Sequence, residues 1–168
     1  EKLEGDHQAY QYLLEAIKRD GVPYDLISKS LPTIEGAVND ILAQIVDFNI
    51  VFNMDGKQID THIVYDDDRV WPLELSSGME RFVSSLAIRV GLMNVSNLPR
   101  SNFLAIDEGW GTMDAENLNS VAQLFQYLKT QFQFSFVVSH IESMRDFVDT
   151  LLEIKKVSGS SSVRFSRD

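Results

Sequence analysis

Apolar residues along this 168-residue chain follow two rhythms, one near the helical period and one of period two. From Asp6 to Arg19 the spacing predicts a helix, with Asp6 as its cap, Ala9, Leu13, Ala16 and Ile17 as an apolar stripe, and Gly21 with Pro23 as its stop. A second helix is predicted from Thr33 to Val46, capped by Thr33, with Ile34, Val38, Ile41, Leu42 and Ile45 on one face. Phe48, Ile50, Phe52 and Met54 then alternate, Asp55-Gly56 follows, and Ile59, Thr61, Ile63 and Tyr65 alternate again. Two alternating runs around Asp-Gly predict a hairpin. Asp66, Asp67 and Asp68 form an acidic loop, and the stretch to Pro72 is the place where a soft boundary is expected.

The second half changes character. Phe82, Leu86, Val90 and Met93 recur at helical spacing between Gly78 and about Val95. Phe103 to Ile106 and Phe134 to Val138 are short continuous apolar runs, the pattern of strands buried on both faces. Between them Asn117 to Phe132 predicts a helix with Leu118, Val121, Ala122, Phe125 and Leu128 inward. Ile141 to Phe147 suits a short helix, and Thr150 to Lys156 with Ser162 to Ser166 suits a terminal hairpin around Gly159. Alternating helices and strands imply an α/β fold with a parallel sheet.

Composition narrows the class. Charged residues at 24% and apolar residues at 44% describe a globular chain. Fifteen Lys+Arg against 25 Asp+Glu leave a net charge of −10, which argues against a broad nucleic-acid-binding face. The absence of cysteine excludes disulfides, thiolate zinc sites and thiol catalysis. No apolar run approaches a membrane span, and the acidic, polar first ten residues do not read as a signal peptide.

Candidate chemistry lies at element ends. Asp107 and Glu108 follow the apolar run Phe103 to Ile106, at the strand end where α/β sheets bind ligands. Asp107 suits Mg²⁺, a cation that takes hard oxygen ligands, and Glu108 suits the activation of a water; the two also suit a plain solvated strand end. Ser76, Ser77 and Gly78 precede a helix, where free N–H groups favour an anion and where a simple capped turn is the alternative. Gly111 to Asp114 forms a turn after the carboxylates, and His140 follows the second buried strand, either as a phosphate contact or as a satisfied polar group.

In this order the features resemble the second half of an ATP-binding cassette ATPase. Leu75-Ser76-Ser77-Gly78 is similar to the signature motif and Phe103 to Glu108 to the Walker B motif. Gly111-Thr112-Met113-Asp114 resembles the D-loop and His140 the switch histidine. Within the superfamily, Asp107 to Asp114, Gly78 to Phe82 and Ser85 to Ala87 resemble the C-terminal head segment of SbcC-type, SMC-like double-strand-break repair ATPases, over residues 20 to 168. Ser77 stands where the usual motif has glycine and Met79 where it has Gln or Glu.

The resemblance implies a P-loop NTPase C-terminal lobe, with a mainly parallel sheet flanked by helices and β-hairpins. Residues 1–20 would end a coiled coil or form a first helix, and residues 21–168 would form the lobe. No Gly-x-x-x-x-Gly-Lys-Ser/Thr loop occurs, so an N-terminal lobe of the same protein is expected to supply Walker A. By the same resemblance Asp107 positions Mg²⁺ and Glu108 is the general base for ATP hydrolysis. Ser76, Ser77 and Gly78 bind the γ-phosphate held by a second head, Asp114 couples the two sites, and His140 senses the γ-phosphate. The implied partners are a second copy of the head, an SbcD-type nuclease and double-stranded DNA; Lys155, Lys156, Arg164 and Arg167 gather near the C-terminus and suit either phosphate contacts or a solvated positive hairpin. The implied setting is cytoplasmic or nucleoid-associated, nuclear in a eukaryote. Alternatives are an SMC-like ATPase for chromosome organisation or phage defence and a transporter nucleotide-binding domain, the latter disfavoured because Glu80 to Ser85 lacks a Gln-Arg-rich continuation.

Overall fold

The structure is a computed structural model that describes residues 2–18, 20–55, 58–66, 69–110 and 118–167. The chain divides into two compact units at Arg100/Ser101, not at the acidic loop near Asp66. The reason is a third strand: β2 (Gln58–Asp66) pairs antiparallel with β3 (Arg69–Pro72), so hydrogen bonds cross the expected boundary.

In the first unit, helix α1 (Lys2–Ile17) begins earlier than the Asp6 cap suggests, and its Tyr10, Leu13, Leu14 and Ile17 are exposed. Helix α2 runs Val22–Leu42, more than a turn longer at its start than the predicted Thr33 start. Pro23 lies in its first turn, where a missing N–H costs nothing, and Pro32 sits inside the helix. Thr33 is therefore interior and not a cap. The last turns carry the buried Val38, Ile41 and Leu42. Helix α3 (Gly78–Val95) buries Met79, Val83, Leu86, Ala87 and Val90, and packs on α2 so tightly that a Cβ on Gly91 would lie 2.8 Å from Val38 Cγ2.

Strand β1 (Asn49–Asp55) pairs antiparallel with β2, with Ile50 opposite Ile63, both fully buried. As an edge strand, β1 leaves backbone groups unpaired on its outer side, and α2 side chains satisfy them. Asn39 Oδ1 accepts the Ile50 N–H at 2.8 Å, and Asn39 Nδ2 donates to the Ile50 carbonyl at 2.9 Å. One turn earlier, Glu35 Oε2 accepts the Phe52 N–H at 2.8 Å.

In the second unit, β4 (Phe103–Asp107) and β5 (Phe134–Val138) pair in parallel, joined by a connection that contains α4 (Leu118–Gln131). The expectation that both strands are buried on two faces is corrected. Leu104, Ile106, Ser135 and Val137 are covered to differing degrees, whereas Phe103, Ala105, Phe134, Phe136 and Val138 form an exposed face. Two strands cannot cover themselves, and alternation leaves half of their side chains outward. Phe103 and Phe134 stack there, with centroids 5.5 Å apart.

The covered side is aromatic as well. Trp110, only 1% exposed, stacks on Phe125 of α4 at 5.2 Å, and Phe125 stacks on Phe147 at 5.8 Å. Phe147 ends a 3₁₀ turn (Glu142–Phe147) at the place of the predicted short helix. The terminal hairpin is β6 (Thr150–Val157) with β7 (Ser160–Arg167), turned by Ser158 and Gly159, both with positive φ. Among the described residues no helix is long and apolar enough to cross a membrane.

Candidate functional site

Two sets of candidate residues lie in different units. In the second unit, β4 delivers Asp107 opposite Val138, and the ladder runs one step further as the Glu108 N–H donates to the Val138 carbonyl at 3.0 Å. The chain then turns sharply: Glu108 has φ 57° and Gly109 φ 99°, both in the left-handed region. Glycine adopts this conformation without penalty; glutamate rarely does. Trp110 then plunges into the core, so a buried ring anchors the far side of the turn.

His140 reaches the same place from the neighbouring strand. Beyond β5, Ser139 Oγ accepts the Ile141 N–H at 3.1 Å, which bends the chain around His140. His140 Nδ1 lies 3.6 Å from Glu108 Oε1, and both side chains are exposed. That separation is ion-pair range for an imidazolium and too long for a direct hydrogen bond. Parallel pairing thus brings Asp107, Glu108 and His140 to one strand end. Among the described residues no group of three His, Cys, Asp or Glu side chains forms a metal cage. A single exposed carboxylate still fits Mg²⁺ bound beside a polyphosphate, because that cation commonly takes one or two carboxylates plus phosphate and water oxygens. Asp114 and the rest of the 111–114 turn lie outside the described residues.

In the first unit the loop before α3 has a defined order. A 3₁₀ turn (Leu73–Leu75) leads into Ser76, whose hydroxyl donates to the Leu73 carbonyl at 2.7 Å. Ser77, not Ser76, is the N-cap of α3. The Glu80 N–H donates to Ser77 Oγ at 3.3 Å, and the Ser77 N–H donates to Glu80 Oε2 at 2.6 Å, a reciprocal capping box. Gly78 opens the helix, where first-turn N–H groups have no partner within it. Met79, the departure from the usual motif, is buried in the core, so the carboxylate at this helix start is Glu80.

Glu80 has a second partner: the Tyr65 hydroxyl, from the end of β2, donates to Glu80 Oε1. Partial burial pushes the Glu80 carboxyl up, but hydrogen bonds from Tyr65 and Ser77 outweigh it and hold the group below the usual carboxylate range. Burial first, and then the bond to Glu80, pushes the Tyr65 phenol well above its ordinary value. Neither Tyr65 nor Glu80 stood out in the sequence, although Ser77-x-x-Glu80 is itself a capping-box signature.

Among the described side chains, the basic residues of the terminal hairpin do not form one patch. Lys155 and Arg164 share a face with Glu153, and Lys156 alternates to the other. Glu153 lies 3.2 Å from Lys155 and 3.3 Å from Arg145, and these cations, Lys155 first, hold its carboxyl below the ordinary range.

No family model matches the chain. Among curated proteins it is 35% identical over 170 residues to uncharacterized protein R555 of Acanthamoeba polyphaga mimivirus, covering 92% of this chain and 13% of that protein. It is 32% identical over 96 residues to SbcC of the Staphylococcus aureus nuclease SbcCD, covering 55% of this chain and 10% of that protein. The chain thus spans about an eighth or less of the length of these relatives. Among solved structures, one described as the structural biochemistry of ATP-driven dimerization and DNA-stimulated activation of SMC ATPases matches with TM-score 0.68 at 16% identity, covering 84% of this chain and 88% of that one. The chain has the fold of an SMC ATPase head, a P-loop NTPase fold, and it shares sequence with SbcC over about half its length.

Proposed function

From the SMC-head fold as premise, we propose that this chain is the C-terminal part of an ATP-hydrolysing, SMC-like head that dimerises on ATP and regulates DNA end processing with a nuclease partner. The observation that carries the reading is the convergence of Asp107, Glu108 and His140 at one parallel strand end. Glu108 acts as the general base, taking a proton from the water that attacks the γ-phosphorus. His140 contacts the γ-phosphate from the adjacent strand. Asp107 is the residue that holds Mg²⁺, which when bound neutralises charge on the phosphates. Ser76, Ser77 and Gly78 serve the nucleotide of a second head. Both serines are engaged locally, but the Ser76 hydroxyl donates, to Leu73, whereas the Ser77 hydroxyl accepts, from the Glu80 N–H, and keeps its own proton for a phosphate oxygen. Asp114 couples the two sites.

Residues 21–168 form the lobe and residues 1–20 the end of a coiled coil; Leu3, Tyr10 and Ile17, exposed and seven residues apart, support the latter. The exposed apolar face of β4–β5 supports a further segment of the same protein, one bearing the missing phosphate loop, as its cover. Sequence shared with SbcC of the nuclease SbcCD supports double-strand-break repair or recombination, with an SbcD-type nuclease and double-stranded DNA as partners and a cytoplasmic or nucleoid-associated setting.

The test is Glu108→Gln in the complete protein. Turnover is expected to fall about 100-fold or more, with ATP-dependent head engagement retained. ATP hydrolysis at the wild-type rate would remove Glu108 from its role and the reading with it. Co-purification of a nuclease then separates end processing from the other SMC-like roles.

A further inference from the structure

One hydrogen bond at the start of α3 reaches it from far along the chain. The capping box is contained within residues 77–80, but the Tyr65 hydroxyl arrives from a strand fifteen residues earlier. It occupies Oε1 of Glu80 while the Ser77 N–H occupies Oε2, so both oxygens of one carboxylate are committed. The Tyr65 ring is itself packed: Phe48 lies 5.5 Å away and Trp71 6.5 Å away, and the Arg69 guanidinium lies 5.7 Å from the ring centroid. A rigid aromatic cluster on the sheet thereby grips a carboxylate that in turn grips the backbone of the loop.

We infer that Tyr65 is a positioning residue for the loop Ser77–Gly78, fixing through Glu80 the direction in which that loop presents its donors to the nucleotide of a second head. This rests on the function proposed above. A free Glu80 side chain samples several rotamers; one bonded at both oxygens holds one, and Ser77 inherits that order. The effect falls on the engaged state, because the loop meets nucleotide only when two heads close on it.

The experiment is Tyr65→Phe in the complete protein, a change that keeps the ring and its packing and removes only the hydroxyl. Nucleotide-dependent head engagement and kcat are expected to fall about tenfold, the lower end of the scale of one hydrogen bond to a charged group. ATP binding by unengaged heads should stay near wild type, while the melting temperature falls only by the small amount that one lost hydrogen bond costs. Glu80→Gln provides a second arm: the double variant should be no worse than Glu80→Gln alone. Wild-type engagement and kcat in Tyr65→Phe, or additive losses in the double variant, would overturn the inference. So would a parallel drop in unengaged ATP binding and melting temperature, which marks a purely structural bond. Glu108→Gln run alongside separates the two ideas: if it loses turnover while Tyr65→Phe does nothing, only this inference fails. If Glu108→Gln keeps turnover, the functional reading fails.

Discussion

The loop at Ser77 and the carboxylates at Asp107 and Glu108 both sit where a regular element ends, yet the two units hold them by different means. In the first unit the loop is held by hydrogen bonds that close within the unit, from Ser77 to Glu80 to Tyr65, over a core shared by α2, α3 and β1–β2. In the second unit the carboxylates end a two-stranded sheet with one apolar face open, and the anchor is a single buried ring, Trp110. Polar order of this kind closes on itself; order borrowed from packing depends on how completely the packing is covered. The first unit presents a finished loop, and the second presents chemistry on an unfinished platform.

Breaking the anchor of the second unit should have the largest effect. Trp110→Ala is expected to cost about 3–5 kcal/mol, lost from the stack with Phe125 and Phe147. Hydrogen exchange should show α4 and β4–β5 losing protection while α3 keeps its own; equal loss in both would merge the two units into one. Next in size is Asn39→Ala, which strands the N–H and carbonyl of Ile50. About 1–3 kcal/mol of destabilisation is expected in a denaturant melt, confined to the first unit. The smallest effect is on pH dependence. The Glu80 carboxyl titrates lower folded than unfolded, so it adds stability above its unfolded pKa and loses it as pH falls through the folded value. Acid titration of Glu80→Gln should therefore show a shallower loss of stability below about pH 4.5 than wild type. A steeper loss would reverse the sign of that coupling.

Much of this was legible in the chain. The periodicity of Gly78 to Val95 and the short apolar runs at Phe103 and Phe134 mark the elements that carry both sites, because burial imposes a period on side chains. The extent of α2 was not legible: Pro32 followed by Thr33 has the local form of a stop and a cap, yet the helix runs through both, and its buried Val38, Ile41 and Leu42 all lie in the half that periodicity marks. The strand β3 was hidden behind three aspartates and a proline. Exposure of Phe134 and Phe136 was illegible for another reason, since a run of apolar residues reads the same whether its second face is covered within the chain or not. The bonds from Tyr65 to Glu80 and from Asn39 to Ile50 join residues 15 and 11 apart, where no spacing rule applies. Asp114, identified by resemblance, lies outside the described residues.

The left-handed backbone at Glu108 has a consequence for any effort to make this protein hardier. Holding a non-glycine residue at φ 57° costs about 1–2 kcal/mol, and glycine or asparagine there would recover part of it. The same replacement deletes the carboxylate. A screen that rewarded heat tolerance alone would therefore favour variants that have discarded the proposed base, and would score the loss as improvement. At this one position robustness and chemistry are exchanged for one another, and a search that does not assay both will select the wrong protein.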